Sequence, residues 1–171
     1  MPASSLPVLY TPAQRARRDA TAWTLVQGIL APVQFLIFGI SLYLVLRSLQ
    51  TGEHTGWALA SVVLKTVVLY AIMVTGAIWE KVVFGQYLFA PAFYWEDVIS
   101  MGVMALHTAY VWAWWQGAWS ANHLLWLALA AYGSYAINAA QYIRKLRMAR
   151  LQKQTPSSST SMPDTGAQAS T

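Results

Sequence analysis

The sequence predicts an all-α membrane protein: a bundle of four transmembrane helices with a cytoplasmic aromatic loop between the second and third helices. Of its 171 residues, 57% are hydrophobic and only 10% are charged. A soluble domain carries about 25% charged residues and less than half apolar residues. This composition excludes an ordinary soluble enzyme, and it also excludes a disordered chain, which requires low hydrophobicity.

Four apolar runs justify the four predicted helices, because a helix needs about 20 residues to cross a bilayer. The runs cover residues 25–46, 57–79, 98–115 and 124–143. The first run is too long for the core of a signal peptide, and no small-residue cleavage site follows it. Short polar turns join the first run to the second and the third to the fourth, whereas the segment 80–97 is longer and aromatic.

The distribution of Lys and Arg predicts the orientation of the bundle. With both termini inside, nine basic residues face the cytoplasm and one, Arg47, faces outward. Cytoplasmic loops of membrane proteins carry an excess of Lys and Arg, so the aromatic loop is expected on the cytoplasmic side. Basic residues beside apolar runs indicate contact with anionic membrane lipid rather than with nucleic acid.

The composition also predicts the domain boundaries. Residues 1–153 form the expected transmembrane domain, and residues 154–171, rich in Ser, Thr, Pro and Gly, form an expected disordered tail. The chain contains no Cys, which excludes disulfides, thiolate nucleophiles and thiolate zinc sites.

Glu80 is the acidic residue with the most informative position. It follows the second run at the C-terminal end of a predicted helix, where the helix dipole disfavours negative charge. Partial burial there would also raise its pKa, so that the carboxyl group could act as a general acid near neutral pH. The alternative is a surface glutamate whose charge is offset by Lys81.

Glu96 and Asp97 open the third run, where the helix dipole favours ionised carboxylates. Acidic residues in a first turn are common stabilising features. A functional interpretation would make one of these two residues the base that orients a water molecule.

His107 and Lys65 lie inside the apolar runs, where ionisable residues are candidates for function. His107 is about three helical turns beyond Glu96 and faces nearly the same way. It could ligate a metal, or form a helix–helix hydrogen bond with Asn138 or Gln141. Lys65 could bind a substrate carboxylate, or extend along its helix toward the interface.

Three segments of the chain resemble the 3-vinyl bacteriochlorophyllide hydratase family, and together the similarity covers roughly residues 9–151. They are WEKVVFGQYLFAPAFYWED at 79–97, WTLVQGILAP at 23–32 and ALHTAY at 105–110. The resemblance implies a hydro-lyase of bacteriochlorophyll synthesis in the inner or intracytoplasmic membrane of a phototrophic bacterium. Such an enzyme adds water to the C3 vinyl group of a chlorophyllide or bacteriochlorophyllide and gives a 1-hydroxyethyl group.

The resemblance also implies ligands. The substrate would be chlorophyllide a or 3-vinyl bacteriochlorophyllide a, and other enzymes of bacteriochlorophyll synthesis are candidate partners. No separate cofactor is implied, since magnesium arrives within the substrate.

Hydration of a vinyl group needs a proton donor, a positioned water and negative charge near the developing cation. We therefore expect catalytic roles for Glu80, Glu96 and Asp97. The expected wall of the substrate slot consists of Tyr87, Phe89, Phe93, Tyr94 and Trp95. His107 would reach the substrate magnesium, and Lys81 or Lys65 would reach its propionate. The alternative function is a membrane protein that binds or assembles pigment without converting it, for which the carboxylates would be unnecessary.

Overall fold

The computed structural model describes residues 9–154, apart from the side chains of 146 and 148–154. These residues form five helices and no strand. The helices are α1 (Pro12–Ala20), α2 (Ala22–Thr51), α3 (Thr55–Phe84), α4 (Tyr94–Gln116) and α5 (Ala121–Gln154). The all-α prediction is confirmed. The expected tail, residues 154–171, lies outside the described residues except for Gln154, which ends α5.

Each of the four apolar runs lies within one of the long helices α2 to α5, and these helices pack against one another. Of the described helices, α2 and α3 are long and apolar enough to cross a membrane. At 30 residues each, they are about 45 Å long and exceed the roughly 30 Å hydrocarbon core of a bilayer. A helix of this length that crossed a bilayer perpendicular to its plane would extend beyond the hydrocarbon layer.

The helices end where the backbone turns left-handed rather than where the apolar runs end. Gly52, Gly85 and Gly117 have positive φ angles directly after α2, α3 and α4. Glycine is the usual residue at such a position because it has no Cβ to clash. The segment between α3 and α4 is consequently shorter than the 18 residues expected from the sequence and spans only residues 85–93, which we call the aromatic loop.

The first helix was not predicted. Thr11 accepts a hydrogen bond from the backbone of Gln14, and the Gln14 side chain accepts one in return from the backbone of Thr11, which forms a capping box. Just before this helix, Tyr10 packs against Phe84 and Phe93 at the end of α3 and the start of α4. The N-terminal segment thus covers the end of the bundle that carries the aromatic loop.

The interior of the bundle contains small and polar side chains as well as apolar ones, while many large apolar side chains are exposed. Leu25, Leu36 and Ile40 on α2 are each more than half exposed, whereas Ser41 and Ser48 on the same helix are buried. Ser41 is hydrogen-bonded to Ser61 of α3 and to Tyr132 of α5. Such contacts join helices through polar groups, as is common where the surroundings are apolar.

Candidate active site

Two carboxyl groups meet at the loop end of the bundle. Glu80 of α3 is 5% exposed and Asp97 of α4 is 1% exposed, and their carboxyl groups lie close enough to share a hydrogen bond. A hydrogen bond between two carboxyl groups requires a proton on one of them. We refer to Glu80 and Asp97 as the acid pair.

Both members of the acid pair lie just outside the apolar runs, since Glu80 follows the run 57–79 and Asp97 precedes the run 98–115. Burial raises the pKa of Glu80, and the neighbouring Asp97 carboxylate raises it further. Burial also raises the pKa of Asp97, while its hydrogen bonds to the Phe89 backbone and to Glu80 favour its ionised form. The arrangement therefore favours a proton on Glu80 and a charge on Asp97.

The acid pair anchors the backbone of the aromatic loop. The backbone N–H of Phe89 donates to Asp97 Oδ2 at 2.7 Å, and that of Ala90 donates to Glu80 Oε2 at 3.3 Å. Phe89 has a φ of 59°, a left-handed conformation that is unfavourable for a residue with a side chain. These bonds hold the loop over the two carboxyl groups and account for the unusual backbone at Phe89.

Glu96 is not a member of the acid pair, because its carboxylate forms an ion pair with Lys145. Lys145 of α5 donates to Glu96 Oε2 at 2.7 Å, and its Nζ lies 4.6 Å from the centre of the Phe93 ring. Lys145 also lies within electrostatic range of Glu80 and Asp97, and its positive charge lowers the pKa of both. Sequence reasoning counted Lys145 only as a basic residue that determines topology.

The residues expected to form the substrate slot fall into two groups. Tyr87, Tyr94 and Trp95 are 60%, 47% and 70% exposed, so their rings are available to a ligand. Phe93 belongs to the second group. Its ring is 4% exposed and packs against Tyr10 and the aromatic residues Trp79, Phe84 and Tyr142.

Lys81 lies at the entrance to the aromatic loop. Its Nζ donates to the carbonyl oxygen of Gly85 at 2.8 Å and lies 5.2 Å from the centre of the exposed Tyr87 ring. An exposed ammonium group beside an exposed aromatic ring is suited to a ligand that has both an apolar face and a carboxylate.

His107 and Lys65 are not brought together with the acid pair. His107 is ten residues beyond Asp97 on α4, or roughly 15 Å along the helix, and Lys65 is about 22 Å from Glu80 along α3. Both side chains are completely enclosed. Lys65 does not extend toward an interface, because its Nζ lies 3.7 Å from the centre of the Tyr135 ring inside the bundle. His107 bonds to the Val103 carbonyl of its own helix rather than to Asn138 or Gln141.

A hydrogen bond between Asn138 of α5 and Ser100 of α4, one turn from Asp97, lies beside the acid pair. Tyr142 of α5 also lies within electrostatic range of Glu80 and Asp97. The spacing of Asp97, Ser100 and His107 on one helix face was visible in the sequence, but the partners on α5 required the packing of the helices. Among the described residues, no group of three or more His, Asp or Glu side chains could hold a metal ion.

A family model described as 2-vinyl bacteriochlorophyllide hydratase matches residues 10–148, which include all five helices except the last residues of α5. The chain belongs to this family. The match includes the acid pair, the aromatic loop and the enclosed residues Lys65 and His107. The family resemblance expected from the sequence is thereby confirmed.

Two similar proteins have the same description as the family. The 2-vinyl bacteriochlorophyllide hydratase of Rhodobacter capsulatus is 61% identical over 158 residues, covering 92% of this chain and 92% of the relative. That of Cereibacter sphaeroides is 68% identical over 143 residues, covering 84% of this chain and 89% of the relative. No solved structure matches the chain.

Proposed function

We propose that this protein is a membrane hydro-lyase that adds water to the vinyl group of a bacteriochlorophyllide or chlorophyllide and forms a 1-hydroxyethyl group. The family name places this vinyl group at position 2, and the systematic numbering of the macrocycle places the same group at position 3. The observation that carries the proposal is the buried, hydrogen-bonded acid pair beneath an aromatic loop, in a chain that belongs to a hydratase family.

Glu80 is the proposed general acid. Its proton would be added to the terminal vinyl carbon, which leaves a positive charge on the carbon next to the macrocycle, where conjugation spreads it. A general acid must hold its proton at the working pH, and the burial of Glu80 beside Asp97 favours this state. The neighbouring negative charge also stabilises the developing cation.

Asp97 is the proposed base, in preference to Glu96. The water that attacks the cation must lose one proton, and an ionised carboxylate beside the reacting carbon can accept it. Asp97 is ionised when Glu80 carries the proton, whereas the Glu96 carboxylate is occupied by an ion pair with Lys145 at 2.7 Å. Glu96 would therefore position Lys145 rather than exchange a proton.

The macrocycle would bind against the exposed rings of Tyr87, Phe89, Tyr94 and Trp95. Flat aromatic side chains bury large apolar ligands effectively, and a few polar groups then fix the orientation. Lys81 lies beside Tyr87 and is the proposed partner of the propionate carboxylate. Because the acid pair is covered, the vinyl group would reach it only by displacing the backbone N–H groups of Phe89 and Ala90.

His107 and Lys65 are not part of the proposed slot. His107 is roughly 15 Å from Asp97 along α4. If the magnesium of the macrocycle were bound at His107, the vinyl group would not reach the acid pair. The separation between Lys65 and Glu80 is larger still.

We further propose that α2 to α5 all cross the inner or intracytoplasmic membrane, with both termini and the aromatic loop in the cytoplasm. Exposed apolar side chains occur on all four helices, including Trp112 on α4 and Ile137 on α5. This exposure suits a lipid environment. The distribution of Lys and Arg supports the orientation.

The decisive experiment supplies membranes that contain the protein with vinyl pigment in oxygen-18-labelled water. The expected result is incorporation of the label into the hydroxyethyl group, measured by mass spectrometry, with no product in membranes that lack the protein. Pigment that binds but remains unchanged would overturn the proposal and favour a pigment carrier.

A further inference from the structure

Three polar side chains are enclosed in the middle of the bundle, remote from the acid pair. Gln34 of α2 is 2% exposed, and Lys65 of α3 and His107 of α4 have no exposed surface. Polar groups so deeply buried normally form hydrogen bonds, because leaving them without a partner is unfavourable. We call these residues the interior cluster.

Two tyrosines of α5 bring the interior cluster together. Lys65 Nζ lies 3.7 Å from the centre of the Tyr135 ring, and the Gln34 amide approaches the Tyr135 hydroxyl. The His107 ring lies 5.9 Å from the Tyr132 ring, and the Lys65 ammonium is within electrostatic range of His107. Gln34 and Lys65 therefore approach the same tyrosine, and Lys65 is near enough to His107 to influence its charge.

Within the part of the chain that the structure describes, Gln34 Oε1, Lys65 Nζ and His107 Nε2 each lack a hydrogen-bond partner. His107 Nδ1 lies 2.8 Å from the carbonyl oxygen of Val103, which can only accept, so Nδ1 carries a proton. In the neutral ring, Nε2 is then an acceptor. The interior cluster consequently presents one donor group, the Lys65 ammonium, and two acceptors.

We propose that Gln34, Lys65 and His107 bind an internal water molecule. A water molecule accepts hydrogen bonds and donates two, so it could accept from Lys65 and donate to both Gln34 and His107. All three buried groups would then have partners, as is usual for internal water in proteins. This pattern of one donor and two acceptors matches water.

Other ligands match the interior cluster less well. An anion such as a carboxylate would satisfy Lys65, but it has no proton to donate to Gln34 Oε1 or to His107 Nε2. A metal cation would be repelled by the Lys65 ammonium. The site therefore differs in kind from a substrate-binding site, and it does not depend on the proposed hydratase mechanism.

The test is solid-state nuclear magnetic resonance of the full chain in lipid bilayers, with histidine labelled with nitrogen-15. The chain has three histidines, and the other two, His54 and His123, are exposed. Replacing both (His54→Gln and His123→Gln) leaves His107 as the only labelled residue. The expected spectrum shows a neutral ring protonated at Nδ1, with magnetisation transfer from water to Nε2.

Two further substitutions test the other members of the interior cluster. Lys65→Met and Gln34→Leu each remove one bond to the proposed water, and both should cause loss of the water contact at His107 Nε2. Gln27→Leu is the matched control, because the Gln27 amide bonds to Thr75 outside the interior cluster. In this variant, the water contact at His107 Nε2 should be unchanged.

Three results would overturn the proposal: an Nε2 without water contact, a doubly protonated His107, or a direct bond between His107 and Lys65. Displacement of the water by added pigment would overturn the conclusion that this site is separate from the substrate-binding site. If either further variant fails to fold, the spectrum of the protein with native Lys65 and Gln34 still tests the proposal, because it shows whether water contacts His107 Nε2.

Discussion

The carboxyl group of Glu80, near the end of α3, lies within hydrogen-bonding reach of the carboxyl group of Asp97 in the first turn of α4. Neither helix alone creates this pair. Each carboxyl group also accepts a backbone N–H group from the loop between the helices. The pair therefore links α3, α4 and the aromatic loop to one another.

Replacement of Glu80 by Gln should reduce hydration by about 10²–10⁴-fold, the usual contribution of general acid catalysis. Gln retains an oxygen that can accept from Ala90, so the loop and pigment binding should be preserved. Rates are measured from the conversion of vinyl pigment and binding from pigment absorbance. Glu53→Gln is the control, because Glu53 is exposed near the opposite end of α3 and should have the wild-type rate. A Glu80→Gln protein with a near wild-type rate would exclude Glu80 as the acid.

Replacement of Asp97 by Asn should reduce turnover far more than replacement of Glu96 by Gln. Asn cannot accept the proton of the attacking water, whereas Glu96→Gln removes only an ion pair with Lys145 at the edge of the site. Parallel measurements of kcat and KM for the two variants provide the comparison. The opposite ranking would assign the base to Glu96.

The pH dependence of hydration should follow the state of the acid pair. Glu80 must be protonated, and its raised pKa keeps it so at neutral pH, while activity falls as the pH rises through that pKa. Lys145→Met removes a positive charge that lowers the pKa of both carboxyl groups, so the profile should move to higher pH. Arg144→Met is the control, since Arg144 is exposed. A profile that moves to lower pH would contradict this electrostatic account.

Reporter fusions at the C-terminus and near Gly85 should both report a cytoplasmic location. The expectation rests on the excess of Lys and Arg on that side. A fusion in the turn between α2 and α3, near Gly52, serves as the comparison and should report the opposite side. An external signal from Gly85 would reverse the proposed orientation.

Truncation after Lys153 should leave specific activity unchanged. The removed residues are rich in Ser, Thr, Pro and Gly and lack the apolar side chains needed for packing. Activity is normalised to the amount of protein in the membrane. A large loss at equal protein level would assign the tail a role in activity.

The sequence predicted the helices well because each apolar run is long and ends at a turn. It placed their ends less well, because helical hydrogen bonds continue past Trp79 until Gly85 adopts a left-handed conformation. The capping box at Thr11 was present in the sequence, but the short polar helix that it begins contains no apolar run.

Within the candidate site, the local environment identified Glu80 as a buried acid. The ion pair between Glu96 and Lys145 was not predictable, because it joins residues from helices whose relative rotation depends on packing. The burial of Phe93 was not predictable for the same reason, because the aromatic residues that enclose it come from three other segments. Contacts between residues of different helices were therefore the part of the site that the sequence could not predict.

The bond between Glu80 and Asp97 implies a closed proton cycle for the proposed hydration. One proton leaves Glu80 for carbon, and one proton arrives at Asp97 from the attacking water. Because the two carboxyl groups are close enough to share a hydrogen bond, transfer of that second proton from Asp97 to Glu80 restores the starting state. The enzyme could then begin the next turnover without exchanging a proton with either side of the membrane, so its rate would be independent of any proton gradient across it.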